Sequence, residues 1–283
     1  MIQHLLDLGF RRVLVLDASE CGVEDAQRVL LAIWAYEAEK EPAQTGGWIH
    51  PYYRASQKAY MAAAQVTSEM AEKGVRHRDD VLLKPIMGRI PGMTRGRNTL
   101  SYLEGIGSRF HVQVLTTPEK LPITHHLLKE VQPLHCGDCR RCMEACPTGA
   151  IDEEGFHREK CLRNWMMSGK PVPVEIREKM GNRLIGCDEC QRCCPHNPPP
   201  EGKAGETVPL NALLSATKAT AEVLRSVIGA NLTIPNRVLS QACMIAGCSH
   251  DASLLPILHE LAQHPSHTVK EHAAWAAEKL KEV

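Results

Sequence analysis

Residues 136–147 read CGDCRRCMEACP, which sets Cys136, Cys139, Cys142 and Cys146 in the pattern C-x2-C-x2-C-x3-C-P. That run wraps a cubane iron–sulfur cluster. Two residues between thiolates let a tight loop hold three sulfurs around one face of a cluster, with backbone N–H groups pointing at the sulfides. The fourth cysteine lies too far round the turn to close the same cube, and Pro147 turns the chain onward. Residues 187–197, CDECQRCCPHN, supply a matching half. There Cys187, Cys190 and Cys194 give C-x2-C-x3-C-P, and Cys161 stands between the two runs.

These thiolates suit two [4Fe–4S] clusters of four sulfurs each. Paired C-x2-C also serves tetrahedral zinc, but zinc needs only four thiolates per site and has no use for both C-x3-C-P tails. In two-cluster ferredoxins the fourth cysteine of a run ligates the other cluster. Crossed ligation then assigns Cys136, Cys139, Cys142 and Cys194 to the first cluster. Cys146, Cys161, Cys187 and Cys190 go to the second. Cys193 has no slot. If it were the ligand, the spacing would become C-x2-C-x2-C, whereas the Cys146–Pro147 pairing recurs at Cys194–Pro195 and favours Cys194. Such a pair of clusters passes single electrons. It needs an external donor at one end and an acceptor or reactive centre at the other, so the flanking segments should carry the chemistry.

The rest of the composition bounds the class. Hydrophobic residues make up 43% and charged residues 23%, which suits a globular chain. Aromatic content is only 4%, so the core must rest on aliphatic side chains. The 33 basic and 33 acidic residues cancel, and any nucleic-acid contact would need a local basic patch. No apolar run approaches a membrane span. The start, MIQHLLDLGFRRVLVLD, does not read as a signal peptide. The expected location is therefore cytoplasmic and reducing, where metal or redox chemistry is the better reading of 12 cysteines than disulfides.

Three regions are expected. In residues 1–130, IQHLLDLGF reads as a helix ending at Gly9, and RRVLVLD as a strand. RVLLAIWAY (28–36) fits a buried strand or a helix segment. Residues 55–73 form a helix that stops at Gly74, and a strand covers 110–116. This alternation predicts an α/β domain. Residues 131–200 form a ferredoxin-like double-cluster module with nine of the 12 cysteines, and it leaves through a Pro/Gly-rich linker, PHNPPPEGKAGE. Residues 206–283 hold short amphipathic helices (LNALLSA, AEVLRSVIG, NRVLSQACMIAG, LLPILHELAQH and VKEHAAWAAEKL) and suggest a HEAT-like helical region. Cys243 and Cys248 fall on its apolar positions, and with Cys21 they read as core packing.

The array CGDCRRCMEACPTGAI, Cys161 and GCDECQRCCPHN resembles the double-cluster module of epoxyqueuosine reductases, and more distantly that of reductive dehalogenases. LKPIMGRIPGMTRGRNTLSYLEGIGSRFHVQVLTT (83–117) is similar to that family's G-[KR]-N-T turn and glycine–serine before a strand. HPSHTVKEHAAWAAEKL (264–280) is similar to its C-terminal helix. The resemblance implies a cobalamin-binding domain at 1–130, with electrons delivered singly to the corrinoid, an acidic proton donor and a tRNA-contacting helical end. By position it implies corrinoid contacts at Asn98 and Ser108.

The chain also departs from that pattern. The strands at 11–17 and 28–36 lie closer together than in the family. The family's catalytic aspartate falls near His77, which makes Asp79 and Asp80 candidates for the acid, against a plain solvated turn. The family's paired glycines are reduced to Pro91-Gly92-Met93, and LRNWMMSGKPVP follows Cys161.

Two functions follow. One is a corrinoid-dependent reductase acting on a tRNA nucleoside or another electrophile, with Lys218, Arg225, Arg237 and Lys270 as basic candidates for RNA. The other is an electron-transfer protein that reduces or activates a separate corrinoid partner protein; the plain alternative to both is a degenerate family member that holds clusters without a substrate of its own. His135 and His196 flank the clusters and are candidates to tune them. Trp48, Tyr52 and Tyr53 are candidates to line a flat cofactor pocket, or partly buried loop aromatics.

Overall fold

The computed structural model of the protein describes residues 1–40, 42, 46–199 and 204–282. In chain order its strands are β1 (Arg12–Asp17), β2 (Arg28–Ala35), β3 (Gly47–Ile49), β4 (Arg76–Arg78), β5 (Met93–Arg95), β6 (Ser101–Leu103), β7 (Phe110–Thr117), β8 (Arg183–Ile185) and β9 (Thr207–Val208). The chain's contacts group it into two units assembled from interleaved stretches. The first is 1–37 with 55–142 and 191–199, and the second is 38–54 with 143–190 and 200–283.

In the first unit, RVLLAIWA becomes a strand because it has neighbours on both edges. The sheet runs β1-β2-β7-β4, with β2 paired to β1 and to β7 in registers such as Leu14↔Leu31 and Ile33↔Val112. A central strand covered on both faces needs an unbroken apolar run, which is why alternation fails to show in it. One face carries Leu14, Leu16, Leu31 and Ile33, packed against Ile86, Ile90, Met93 and Leu103. The other carries Val15, Leu30, Ala32 and Leu115 under Ala59, Ala62, Ala63 and Val66 of the helix Pro51–Glu69. Those alanines let the helix approach the sheet closely.

The mixture of helix and sheet matches the expectation. Every pairing in this sheet is antiparallel. The cause lies between β1 and β2. Residues 18–27 form only a 3-10 turn (Ser19–Cys21) and no crossover helix, so the second strand must return beside the first. The helix expected over 55–73 begins at Pro51 and ends at Glu69. A 3-10 turn (Ala71–Lys73) then reaches Gly74, whose φ of 73° makes the stop. Cys21 packs against this core, and burial pushes its thiol up to about 11.

In the second unit the sheet order is β8-β3-β9. Helices Leu210–Leu214, Lys218–Ile228, Pro235–Gly247, Leu255–Leu261 and His267–Lys281 follow at the five places the amphipathic segments predicted. Pro235–Gly247 is the hub. Its Leu239, Ala242, Cys243, Ile245 and Ala246 are buried against Val269, Ala273, Ala276 and Leu280. Cys243 is fully buried as core packing, and Cys248 sets its Sγ 3.5 Å from the Arg177 carbonyl. Within the stretch expected as a linker, residues 200–203 lie outside the described residues. Ala204 bridges to Lys40, and β9 joins the sheet. Among the described residues no helix is long and apolar enough to cross a membrane.

Candidate iron–sulfur centres

The cysteines divide between the two units. Cys136, Cys139, Cys142 and Cys194 belong to the first unit, and Cys146, Cys161, Cys187 and Cys190 to the second. The residue that follows Cys142 and the residue that follows Cys190 each open the other unit's stretch. Each C-x3-C tail therefore hands its last cysteine to the opposite unit.

The first set lines one concavity with Gly96, Arg97, Asn98, Tyr102, Leu134, Arg141, Pro195 and His196. Its loop is tight because Cys139 N donates to Cys136 O at 2.9 Å and Gly137 takes a left-handed φ of 50°. Arg97 donates to Gly137 O at 3.2 Å and ties the loop to the β5–β6 turn. Burial, and then the negative charges of Cys136, Cys194 and Cys139, push the Cys142 thiol up. Among the described residues no three His, Cys, Asp or Glu side chains converge on a single-ion position. Four thiolates around a shared concavity suit a cubane. A cluster bound here supplies one-electron exchange, and the protein's part is to hold, orient and dehydrate it.

Cys193 also stands beside this set. Burial, followed by Cys142 and Cys194, pushes its thiol up to about 11. It does not line the concavity, whereas Cys194 does. Cys194 is reached by the Tyr102 hydroxyl, which donates to Sγ at 3.2 Å, while Asn98 Nδ2 donates to Tyr102 Oη at 2.9 Å. Burial foremost, then this bond, hold the phenol proton on. Asn98 sits in the GRNT turn, where Thr99 takes an unusual φ of 62° for a β-branched residue.

Ser108 belongs to the same loop system. Its N–H donates to Asn197 Oδ1 at 2.8 Å, and Gln191 Nε2 donates to its carbonyl at 3.0 Å. Asn197 Nδ2 in turn donates to Gln191 O at 2.8 Å. Gly107 makes this possible, because a Cβ there would strike Asn197 Oδ1 and lie 3.0 Å from His196 O. Thus Asn98 and Ser108, both buried, spend their polar atoms on holding the Cys194 loop. Sequence reasoning missed Tyr102, Gln191 and Asn197. The one signal available was polar side chains within a glycine-punctuated stretch.

The second set lies among different neighbours. Cys161 caps the helix Leu162–Ser168, and Leu162, Met166, Val172, Ile176 and Met180 form an apolar shell against which Cys187 packs. Burial pushes the Cys187 thiol up to about 12. Ala150 N donates to Cys146 Sγ at 3.2 Å. Tyr53 is buried, accepts from Arg163 Nε at 3.2 Å and lies within electrostatic range of Cys161 and Cys187. Asp188, between Cys187 and Cys190, is 2% exposed and meets His50 Nε2 at 3.2 Å. Trp48 is fully buried in β3 and Tyr52 lies in the helix Pro51–Glu69 against the second unit's core, so neither is the loop aromatic expected.

The candidate acids sit elsewhere in the first unit. Asp79 and Asp80 are exposed in a bend after β4. Arg78 grips Asp80 through Nε and Nη2, both at 2.8 Å, and holds its carboxyl down to about 2. A proton donor at neutral pH needs the opposite shift. Asp80 is therefore held as a carboxylate by Arg78. His77, where the family's aspartate falls, instead donates through Nε2 to Gln113 Oε1 at 2.5 Å, and Gln113 Nε2 meets His111 Nε2 at 2.9 Å. Burial, then the charge of His77, pushes His111 down to about 4. Of the basic RNA candidates, Lys218, Arg225 and Lys270 are exposed and Arg237 is half-buried. His135 and His196 are exposed, and His196 stands edge-on to Tyr102 with ring centroids 6.1 Å apart.

Comparison with known proteins agrees with this geometry. Residues 135–197 match the family model of a 4Fe-4S double cluster binding domain. The epoxyqueuosine reductase of Pseudomonas aeruginosa is 30% identical over 194 residues, covering 64% of this chain and 52% of that protein. That of Bacillus subtilis is 32% identical over 165 residues, covering 51% and 40%. The chain thus spans about half the length of the curated relatives it matches.

Among solved structures, epoxyqueuosine reductase from Streptococcus thermophilus superposes with a TM-score of 0.71 at 18% identity, over 99% of this chain and 89% of that one. Another, solved with a tRNA-Tyr stem loop, gives 0.69 at 21% over 99% and 88%. These structural likenesses carry the fold. By sequence and by fold the chain is similar to epoxyqueuosine reductases, and its residues 135–197 match a 4Fe-4S double cluster binding domain.

Proposed function

We propose that the protein is a cytoplasmic iron–sulfur oxidoreductase that takes single electrons from an external donor and passes them through two [4Fe–4S] clusters toward a reductive step. Cys136, Cys139, Cys142 and Cys194 hold the first cluster, and Cys146, Cys161, Cys187 and Cys190 hold the second. The observation that carries this reading is the gathering of the first four cysteines around one concavity while the other four belong to the other unit. The substrate class proposed is the modified nucleoside of tRNA, by similarity to the reductases whose sequence and fold this chain shares. The helical end, HEAT-like in its paired short helices, is the proposed RNA-facing part.

A corrinoid is the acceptor that the resemblance implies. Asn98 and Ser108 do not fit it as direct contacts, because their polar atoms are committed to Tyr102, Leu100, Asn197 and Gln191. The same commitment, together with the Arg78-bound Asp80, favours a second reading. In it, the protein is an electron carrier that reduces or activates a separate corrinoid protein.

One preparation separates the two. Anaerobically purified protein is assayed for iron and sulfide, titrated with hydroxocobalamin while the visible spectrum is followed, and then given queuosine-pathway tRNA and a reductant. Two cubanes' worth of iron with tight corrinoid binding and reduced nucleoside supports the reductase. The same iron with no corrinoid affinity overturns it and leaves the carrier. Cys193→Ser is expected to keep both clusters and Cys194→Ser to lose or convert the first. The reverse result in an iron count would overturn the ligand assignment.

A further inference from the structure

Tyr102 is 4% exposed, and its hydroxyl lies 3.2 Å from Cys194 Sγ. Two observations and one general property of tyrosine fix what that hydroxyl does. Asn98 Nδ2 donates to Oη at 2.9 Å, which uses an oxygen lone pair and leaves the phenol proton for another acceptor. Leu100 N donates to Asn98 Oδ1 at 3.3 Å, and this orients the amide so that its NH2 faces the tyrosine. A tyrosine hydroxyl, ordinarily titrating near pKa ~10, carries its proton throughout the neutral range. The geometry points to a fixed relay, Asn98 Nδ2–H to Tyr102 Oη–H to Cys194 Sγ, through which Tyr102 sets the reduction potential of the first cluster and not that of the second. We infer that Tyr102 is a positioning residue in this sense. The inference rests on Cys194 being that cluster's ligand.

The physical reason is the charge on sulfur. An electron entering a thiolate-ligated cluster increases the negative charge shared by its sulfurs. A hydroxyl donating to one of them stabilises the reduced form more than the oxidised form, which raises the potential. The bond counts for more here than in water because Tyr102, Asn98 and Ser108 are all buried. The turn Gly96–Thr99 gives the relay a rigid base. Thr99 N donates to Gly96 O and Gly96 N donates to Leu100 O, both at 2.9 Å. Cys193, the neighbour with no slot, is not reached by this hydroxyl among the hydrogen bonds of the described residues. The relay therefore singles out one of two adjacent sulfurs.

The test is a mediated redox titration of the anaerobic protein, with dithionite as the reductant and the clusters followed by electron paramagnetic resonance. Cys194→Ser first identifies which signal belongs to the first cluster. Tyr102→Phe is then expected to keep the full iron content. It should raise that cluster's oxidised-to-reduced ratio about tenfold at fixed applied potential, a fall of about 59 mV for a one-electron couple. The other midpoint should stay in place.

Asn98→Ala serves where Tyr102→Phe folds poorly. It should move the same midpoint in the same direction by less, because Oη loses the donor that polarises it. Full iron content with neither midpoint moved overturns the relay while the ligand assignment stands. So does a shift confined to the second cluster. Full iron content in Cys194→Ser would instead overturn the ligand assignment on which the relay depends.

Discussion

His272 shows what a single buried side chain does in this protein. It is fully buried, accepts from Val172 N at 2.9 Å through Nε2, and donates from Nδ1 to Ser240 Oγ at 2.6 Å. With Nδ1 protonated and Nε2 occupied, it is no base toward Ser240, and its task is to tie the 170–173 loop to the helical end. Burial first, then Arg177, pushes its pKa from 6.5 down to about 4, with Glu271 opposing. A histidine whose folded value is depressed contributes stability that is full above the unfolded value. It loses that stability as pH falls from 6.5 toward 4, a change of roughly 3 kcal/mol. Thermal midpoints measured between pH 7 and pH 5 should therefore drop less steeply in His272→Gln than in the wild type. His111 in the first unit should act in the same direction. At the surface, Asp80→Asn should leave any measured reduction rate unchanged. A large loss of rate would restore Asp80 as a proton donor.

At the scale of elements, two glycines mark where backbone and side chain meet too closely for a Cβ. Gly107, at φ 75°, precedes β7 and lies against Asn197. Gly107→Ala should displace Asn197, break the Ser108–Gln191 network and cost about 1–3 kcal/mol. In an iron-release time course the first cluster should then leave before the second. Gly247 closes the helix Pro235–Gly247, and a Cβ there would stand 2.5 Å from Trp275 Cζ3 and 3.0 Å from Ala276 Cα. Alanine has the better helix propensity, by about 1 kcal/mol, but the backbone contact cannot yield, so Gly247→Ala should destabilise. A denaturant midpoint that rises in this variant would show that the helices His267–Lys281 and Pro235–Gly247 have room to part.

For the whole molecule, the interleaving of the units makes the cysteine module part of the fold. Each unit contains stretches from both sides of the double-cluster match. Metal binding to thiolates that the unfolded chain does not preorganise adds its free energy to folding. Stripping iron anaerobically with a chelator should therefore lower the thermal midpoint of the whole chain. An unchanged midpoint would mean that the units fold without their clusters. The cluster cysteines were legible because thiolate spacing is local: C-x2-C and C-x3-C-P declare themselves within a few residues. The five C-terminal helices and the strand at β7 were legible for the same reason, since their periodicity is contained in each segment.

What the amino-acid sequence determined by itself was the chemistry of the thiolates, their crossed pairing as an expectation, and most of the helices and strands. Only the tertiary structure decided how those elements connect and what surrounds the sulfurs. The antiparallel return of β2 follows from a loop that forms no helix, and periodicity does not report on loops. Asn98, Tyr102, Ser108, Gln191 and Asn197 are ordinary polar residues in the sequence, spread over a hundred positions. They become a buried network around Cys194 because hydrogen bonding acts over about 3 Å of space, whatever the distance along the chain.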